Sequence, residues 1–170
     1  MKFSIALFAT ALIAGVTADY ASVKVDVKNI QVDVATLHQA LKAFDGVSSK
    51  AAIAIDNAAK ALNADLQTAN KDAKALSSLS TAQAQSLLTI LNSTYANVSL
   101  TSKQLIALEP KFKAAGVSAA AKVDIGTIAN STKAFGATLV SKVPAASKAA
   151  ASSLAAKFNK AFSAAVVVYV

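Results

Sequence analysis

The chain contains no cysteine, no tryptophan and no arginine, and its 170 residues include only 1 histidine, 2 prolines and 5 glycines. Without cysteine there is no disulfide framework and no thiolate metal site. His38 is the sole imidazole. It has no second histidine with which to share a metal, and no nucleophile motif to activate, so neither a metal centre nor a Ser–His–acid triad can be assembled around it. It neighbours an apolar stripe and reads as a boundary or surface residue. With no arginine, the net charge of +8 rests on lysine. Lysine lacks the planar fork that grips phosphates and base edges in two places. The lysines are also dispersed and aromatics are 6% of the chain, which argues against nucleic acid as a partner. No glycine-rich phosphate loop is present. The few carboxylates sit beside lysines, so the chain reads as non-enzymatic, without cofactor or metal.

What is abundant is alanine, about a quarter of all residues, within a hydrophobic content of 55%. Alanine is the best helix former and buries little area. With so few helix breakers, composition alone predicts an all-α fold. Met1 to Ser4 form a short basic start, Ile5 to Ala14 an apolar run, and Val16-Thr17-Ala18 a small-residue cleavage signal. Residues 1–18 are therefore expected to be a secretory signal peptide, too short to span a bilayer. The single domain is expected over 19–170, with no transmembrane segment.

Five helices are predicted from apolar residues stepping by four and three. The first carries Val23, Val27, Ile30, Val34, Leu37, Leu41 and Phe44, and stops at Asp45-Gly46. Ser48-Ser49 restarts the chain. The second stripe is Ile55, Ala59, Leu62, Leu66, Ala69, Ala73 and Leu76, with Asp56 and Lys60 as an i,i+4 pair. Asp65 and Asp72 share an outer edge and read as solvated. Ser77 to Ser80 form a capping turn. The third helix then runs from about Thr81 towards Leu108, along Ala84, Leu88, Leu91, Tyr95, Val98, Ser102 and Leu105. Pro110 should bend or restart it, with Phe112 as an anchor. Gly116 can take a positive φ and Ser118 can cap the fourth helix. That helix places Ala121, Ile125, Ile128, Thr132, Phe135 and Leu139 on one line. Pro144 opens the fifth, with Ala151, Leu154, Phe158, Ala161, Phe162 and Ala165 inward.

Two hydroxyls, Thr132 and Ser102, fall on inward lines that are otherwise apolar or alanine. Either they bond back to carbonyls of their own helices, or they are the few polar groups of a lumen that orients an amphiphile. The candidate lumen residues are Thr132, Ser102, Tyr95, Phe135, Ile128 and Phe158. Asn92, Asn97 and Asn130 each begin an N-glycosylation sequon. By spacing, Asn97 and Asn130 point away from their stripes, whereas Asn92 sits close to Leu88.

Three junctions carry a family likeness. They are Phe44-Asp45-Gly46, Pro110-Lys111-Phe112-Lys113-Ala114-Ala115-Gly116-Val117, and Lys142-Val143-Pro144. With a closing helix bearing Phe158, Phe162 and Tyr169, the chain resembles the fungal hydrophobic surface-binding protein A family, also described as cell-wall galactomannoproteins. The resemblance implies a secreted or wall-associated five-helix bundle. It implies partners of three kinds: hydrophobic surfaces, a fatty acid or other amphiphile held inside the bundle, and, for some members, a secreted polyester-degrading hydrolase. The strong basic balance and the lack of a long Ser/Thr-rich tail depart from the larger wall mannoproteins. The alternative is a structural wall mannoprotein or antigen, or a hydrolase-recruiting surface adsorption protein, with no internal ligand.

Overall fold

The computed structural model describes residues 19–169, and the expected signal peptide lies outside them. Five helices follow one another: α1 (Tyr20–Ala43), α2 (Ser49–Ala75), α3 (Thr81–Ala114), α4 (Ser118–Lys142) and α5 (Ala145–Val168). The starts of the first three are marked by side-chain caps. Asp19 accepts from the Ser22 amide at 2.8 Å, and Ser48 accepts from that of Ala51. Ser80 and Gln83 form a reciprocal capping box. Asp45 folds the α1–α2 turn onto itself by accepting from the Val47 and Ser48 amides.

Two boundary expectations need correction. α3 does not end near Leu108 but continues through Pro110 to Ala114. Pro110 is exposed, and buried Phe112 holds the turn that follows. Ser118 does not cap α4. Val117 occupies the cap position without a side-chain bond, and the Ser118 hydroxyl is buried and unpaired. The turn is held by its backbone instead. Gly116 sits at φ 73°, and the Val117 and Gly116 amides donate to the carbonyls of Phe112 and Lys113. This is the reciprocal pattern of a left-handed helix stop.

The helices close into a ring. α1 packs on α2 and α3, α2 on α4, and α4 on α5, while α5 returns to α3. Consecutive α3 and α4 barely meet. Two rungs seven residues apart, Ser131 to Asn63 and Thr138 to Asn70, each 2.7 Å, run up the α2/α4 seam and show these helices to be parallel. At one pole Phe44 stacks on Phe112, which packs tilted against Tyr169, with centroids 4.9 and 5.9 Å apart. They bind the ends of α1, α3 and α5, and the Tyr169 hydroxyl donates to the Leu105 carbonyl. Burial and the nearby Glu109 push that phenol well above its ordinary value. At the other pole the Lys142 ammonium donates to the Lys74 and Leu76 carbonyls at the end of α2.

Asp65 and Asp72 are not freely solvated. Both are half-buried at the α1/α2 seam, where they act on Asp26 and Asp33 of α1. Burial first, then the facing charge of Asp65, pushes Asp33 up to about 6. Asp26 is raised by burial, then by Asp72 and Asp65. The expected Asp56–Lys60 pair is present at 2.7 Å.

Candidate functional site

All five helices contribute to one internal space of about 40 Å³. α1 gives Ile30 and Val34, and α2 gives Leu62 and Leu66. α3 gives Leu88, Leu91 and Val98. α4 supplies Thr132, Phe135, Gly136 and Leu139, and α5 supplies Ala151, Leu154, Ala155, Phe158 and Phe162. Gly136 is small for a reason. A Cβ there would stand 3.1 Å from that of Ala155, so α4 and α5 approach closely beside the space.

In this wall Thr132 is the only hydroxyl-bearing residue. Among the described residues three threonines are buried: Thr94 and Thr101 completely, and Thr132 all but 7%. Thr94 and Thr101 bond back to the carbonyls of Ile90 and Asn97, each at 2.8 Å. Thr132 does not; its Oγ1 is buried and makes no hydrogen bond. An unpaired buried hydroxyl costs about 1–3 kcal/mol. The space is otherwise apolar and lacks any cation. Its lining therefore suits a hydrocarbon chain in chemistry, with one hydroxyl free to bond a polar group, although the volume as it stands holds only about a methylene's worth of atoms.

The other sequence candidates divide. Phe135 and Phe158 line the space with Thr132. Ile128 is buried one turn away but does not line it. Tyr95 stands behind the wall, edge-on to Phe158 with centroids 5.6 Å apart. Ser102 is not a lumen residue. Its hydroxyl donates to the Ala161 carbonyl of α5 and ties two helices together. Sequence reasoning missed Leu87, Thr94 and Thr101, all fully buried on α3. It also missed Gly136 and Ala155, whose signal was a pair of small residues beside large stripe positions. Of the sequon residues, Asn130 and Asn92 are exposed and Asn97 is half-buried. This reverses the order expected for Asn92 and Asn97.

The profile of hydrophobic surface binding protein A matches residues 20–141. The chain belongs to the hydrophobic surface binding protein A family. No curated protein sequence matches it. Among solved structures, AFMP4P in complex with palmitic acid is similar at 28% identity and a TM-score of 0.85, covering 89% of this chain and 100% of that one. Ligand binding domain 1 of the Penicillium marneffei MP1 protein, complexed with arachidonic acids, shares 16% identity at a TM-score of 0.82, over 89% and 99% of the two chains. Domain 2 of the same protein shares 12% at 0.81, over 89% and 96%. The MP1 domains establish the shared fold. Among the described residues, no helix is long and apolar enough to cross a membrane.

Proposed function

We propose that this member of the hydrophobic surface binding protein A family is a secreted, non-catalytic binding protein that takes a long-chain fatty acid or a similar amphiphile into its core. The observation that carries this reading is the unpaired Thr132 hydroxyl in an apolar space walled by all five helices. The palmitate complex of AFMP4P, at 28% identity, supports the ligand class. The space of about 40 Å³ is far below the roughly 300–1,000 Å³ of a small-molecule site, so uptake requires the ring to widen. The interior has no cation, and burying an unpaired carboxylate is costly. The head group resting at Thr132 is therefore the neutral carboxyl.

Thr132→Val tests this role, with one precaution. Thr132 is also the third residue of the sequon Asn130-Ser131-Thr132, so the change would remove any glycan on Asn130 as well. Both arms therefore carry Asn130→Gln. Affinity for a fluorescent fatty acid should fall about tenfold, a loss of roughly 1.4 kcal/mol. Binding of a headless hydrocarbon should be unaffected. Equal losses for both ligands would end the head-group role, and no saturable binding by the parent would end the fatty-acid reading.

A second reading, adsorption to hydrophobic surfaces, is favoured by one pole of the bundle. Around the Phe44–Phe112–Tyr169 cluster lie Val47 (86% exposed), Ile53 (59%), Val123 (66%), Val167 (68%) and Val168, with exposed Ala114, Ala115, Ala119 and Ala120. Exposed apolar side chains gathered at one pole, with the exposed lysines Lys50, Lys111, Lys113 and Lys122 among them, are a candidate contact surface. Changing Val47, Val123 and Val167 to serine should reduce depletion from solution by hydrophobic beads. Serine at Val25 and Val32, which are exposed on the flank of α1, should not. Equal reductions would remove the pole from the account. Recruitment of a secreted polyester hydrolase would belong to this surface-bound state.

A further inference from the structure

Most of the ring's seams are fastened. Side-chain rungs hold α2 to α4. The Gly136–Ala155 approach closes α4 on α5. Gln31 donates to Ser93 between α1 and α3 at 3.0 Å. The lower half of the α3/α5 seam is tied by Ser102 to the Ala161 carbonyl and by Tyr169 to the Leu105 carbonyl. Its upper half has no such tie among the described residues. There an external groove of about 490 Å³ runs between α3 and α5, lined by Gln85, Leu88 and Asn92 on one side and Ala150, Leu154 and Lys157 on the other.

Leu88 and Leu154 line both this groove and the interior. The wall at this point is thus one layer of leucine side chains, which can change rotamer without breaking a hydrogen bond. Lys157 is the only charged residue of the groove, with no carboxylate beside it to hold its charge. Its ammonium stands 5.9 Å from the centre of the Tyr95 ring, and Tyr95 packs on Phe158 of the interior wall.

We propose that this groove is the entrance to the interior, and that Lys157 holds the carboxylate of a long-chain acid while its tail passes between Leu88 and Leu154. The proposal rests on the reading of the core as an amphiphile site. An anion arriving from water meets a lone positive charge at the rim. Its hydrocarbon end faces the thinnest apolar wall of the ring. The carboxylate then leaves Lys157, takes up a proton from the solvent-filled groove, and follows the tail inward as the neutral acid to the space beside Thr132.

Ala150 is exposed and lines the groove but not the interior, so Ala150→Trp obstructs the path without touching the resting site. Stopped-flow uptake of a fluorescent fatty acid is measured with protein made in a bacterial host, where Asn92 carries no glycan. Association and dissociation should slow together by about fivefold, with affinity held within about twofold. Lys157→Gln should slow association of the acid by about threefold and leave a matched long-chain alcohol unchanged. Unchanged rates in Ala150→Trp would place the entrance elsewhere while leaving the core reading intact. A loss of affinity at an unchanged association rate would make the groove itself the resting site and overturn the proposal. So would equal slowing by Ala134→Trp on the exposed outside of α4. No uptake by the parent protein would overturn both readings.

Discussion

At Thr132, stability and affinity should move in opposite directions. Its hydroxyl is buried without a partner, so valine, of the same shape, should raise stability by about 1 kcal/mol while weakening the fatty acid. Chemical denaturation of the two Asn130→Gln proteins checks the first effect; a loss of stability would show that the hydroxyl is paired in solution. The neutral head group has its own signature. Fatty-acid affinity should rise as pH falls from 8 to 5, while that of a long-chain alcohol stays flat. Thr132 was legible in the sequence because a polar residue interrupts an otherwise apolar step. Ser102 was equally visible, but its partner was not. That it meets the Ala161 carbonyl depends on how closely α5 approaches α3, and no periodicity within one helix reports that. The same cause displaced the α3 line. α3 packs between α1 and α5, so its buried arc is wider than one stripe. Leu88, Tyr95 and Ser102 lie on the α5 side, while Leu87, Thr94 and Thr101 are more deeply buried still.

Helix ends were the most legible elements wherever a side chain makes the cap. Asp45-Gly46, Ser48 and Ser80 all mark true boundaries. Pro110 and Ser118 misled, because the stop between α3 and α4 is made by backbone geometry at Gly116. Ala has room there, since a Cβ would touch nothing within 4 Å. Its cost is therefore conformational. Gly116→Ala should destabilise by about 1 kcal/mol, and Ser80→Ala by a similar ~1 kcal/mol through loss of the capping box. Thermal melts of the two variants check these values. A neutral Gly116→Ala would mean that the turn adopts another conformation in solution. The α1/α2 seam was misread for a related reason: Asp65 and Asp72 look solvated on their own helix. Only pairing with α1 sets them against Asp26 and Asp33.

For the whole molecule that seam dictates how stability depends on acidity. Asp33 has its pKa raised to about 6 when folded. Its contribution is complete below the unfolded value of 3.8 and is lost as pH rises through about 6. Asp19 and Asp45, whose pKa values are lowered by the amides they cap, act oppositely: their contribution is present above 3.8 and lost as pH falls below it. The melting temperature should therefore peak near about pH 4–5 and decline towards pH 7.5. Asp33→Asn should flatten the upper limb. An unchanged upper limb would show that Asp33 titrates normally.

The ring order also determines where the chain can be cut. α2, α1 and α3 form one continuous arc and α4 with α5 another, because α4 packs on α2 and α5 rather than on α3. The exposed turn around Gly116 is the sole covalent link between these arcs. Each arc carries part of the inner wall, so neither encloses anything alone. Expressed separately as 19–115 and 116–170, the two pieces should recombine into a working bundle. A hydrocarbon chain trapped between them should act as the clasp, strengthening their association as its concentration rises.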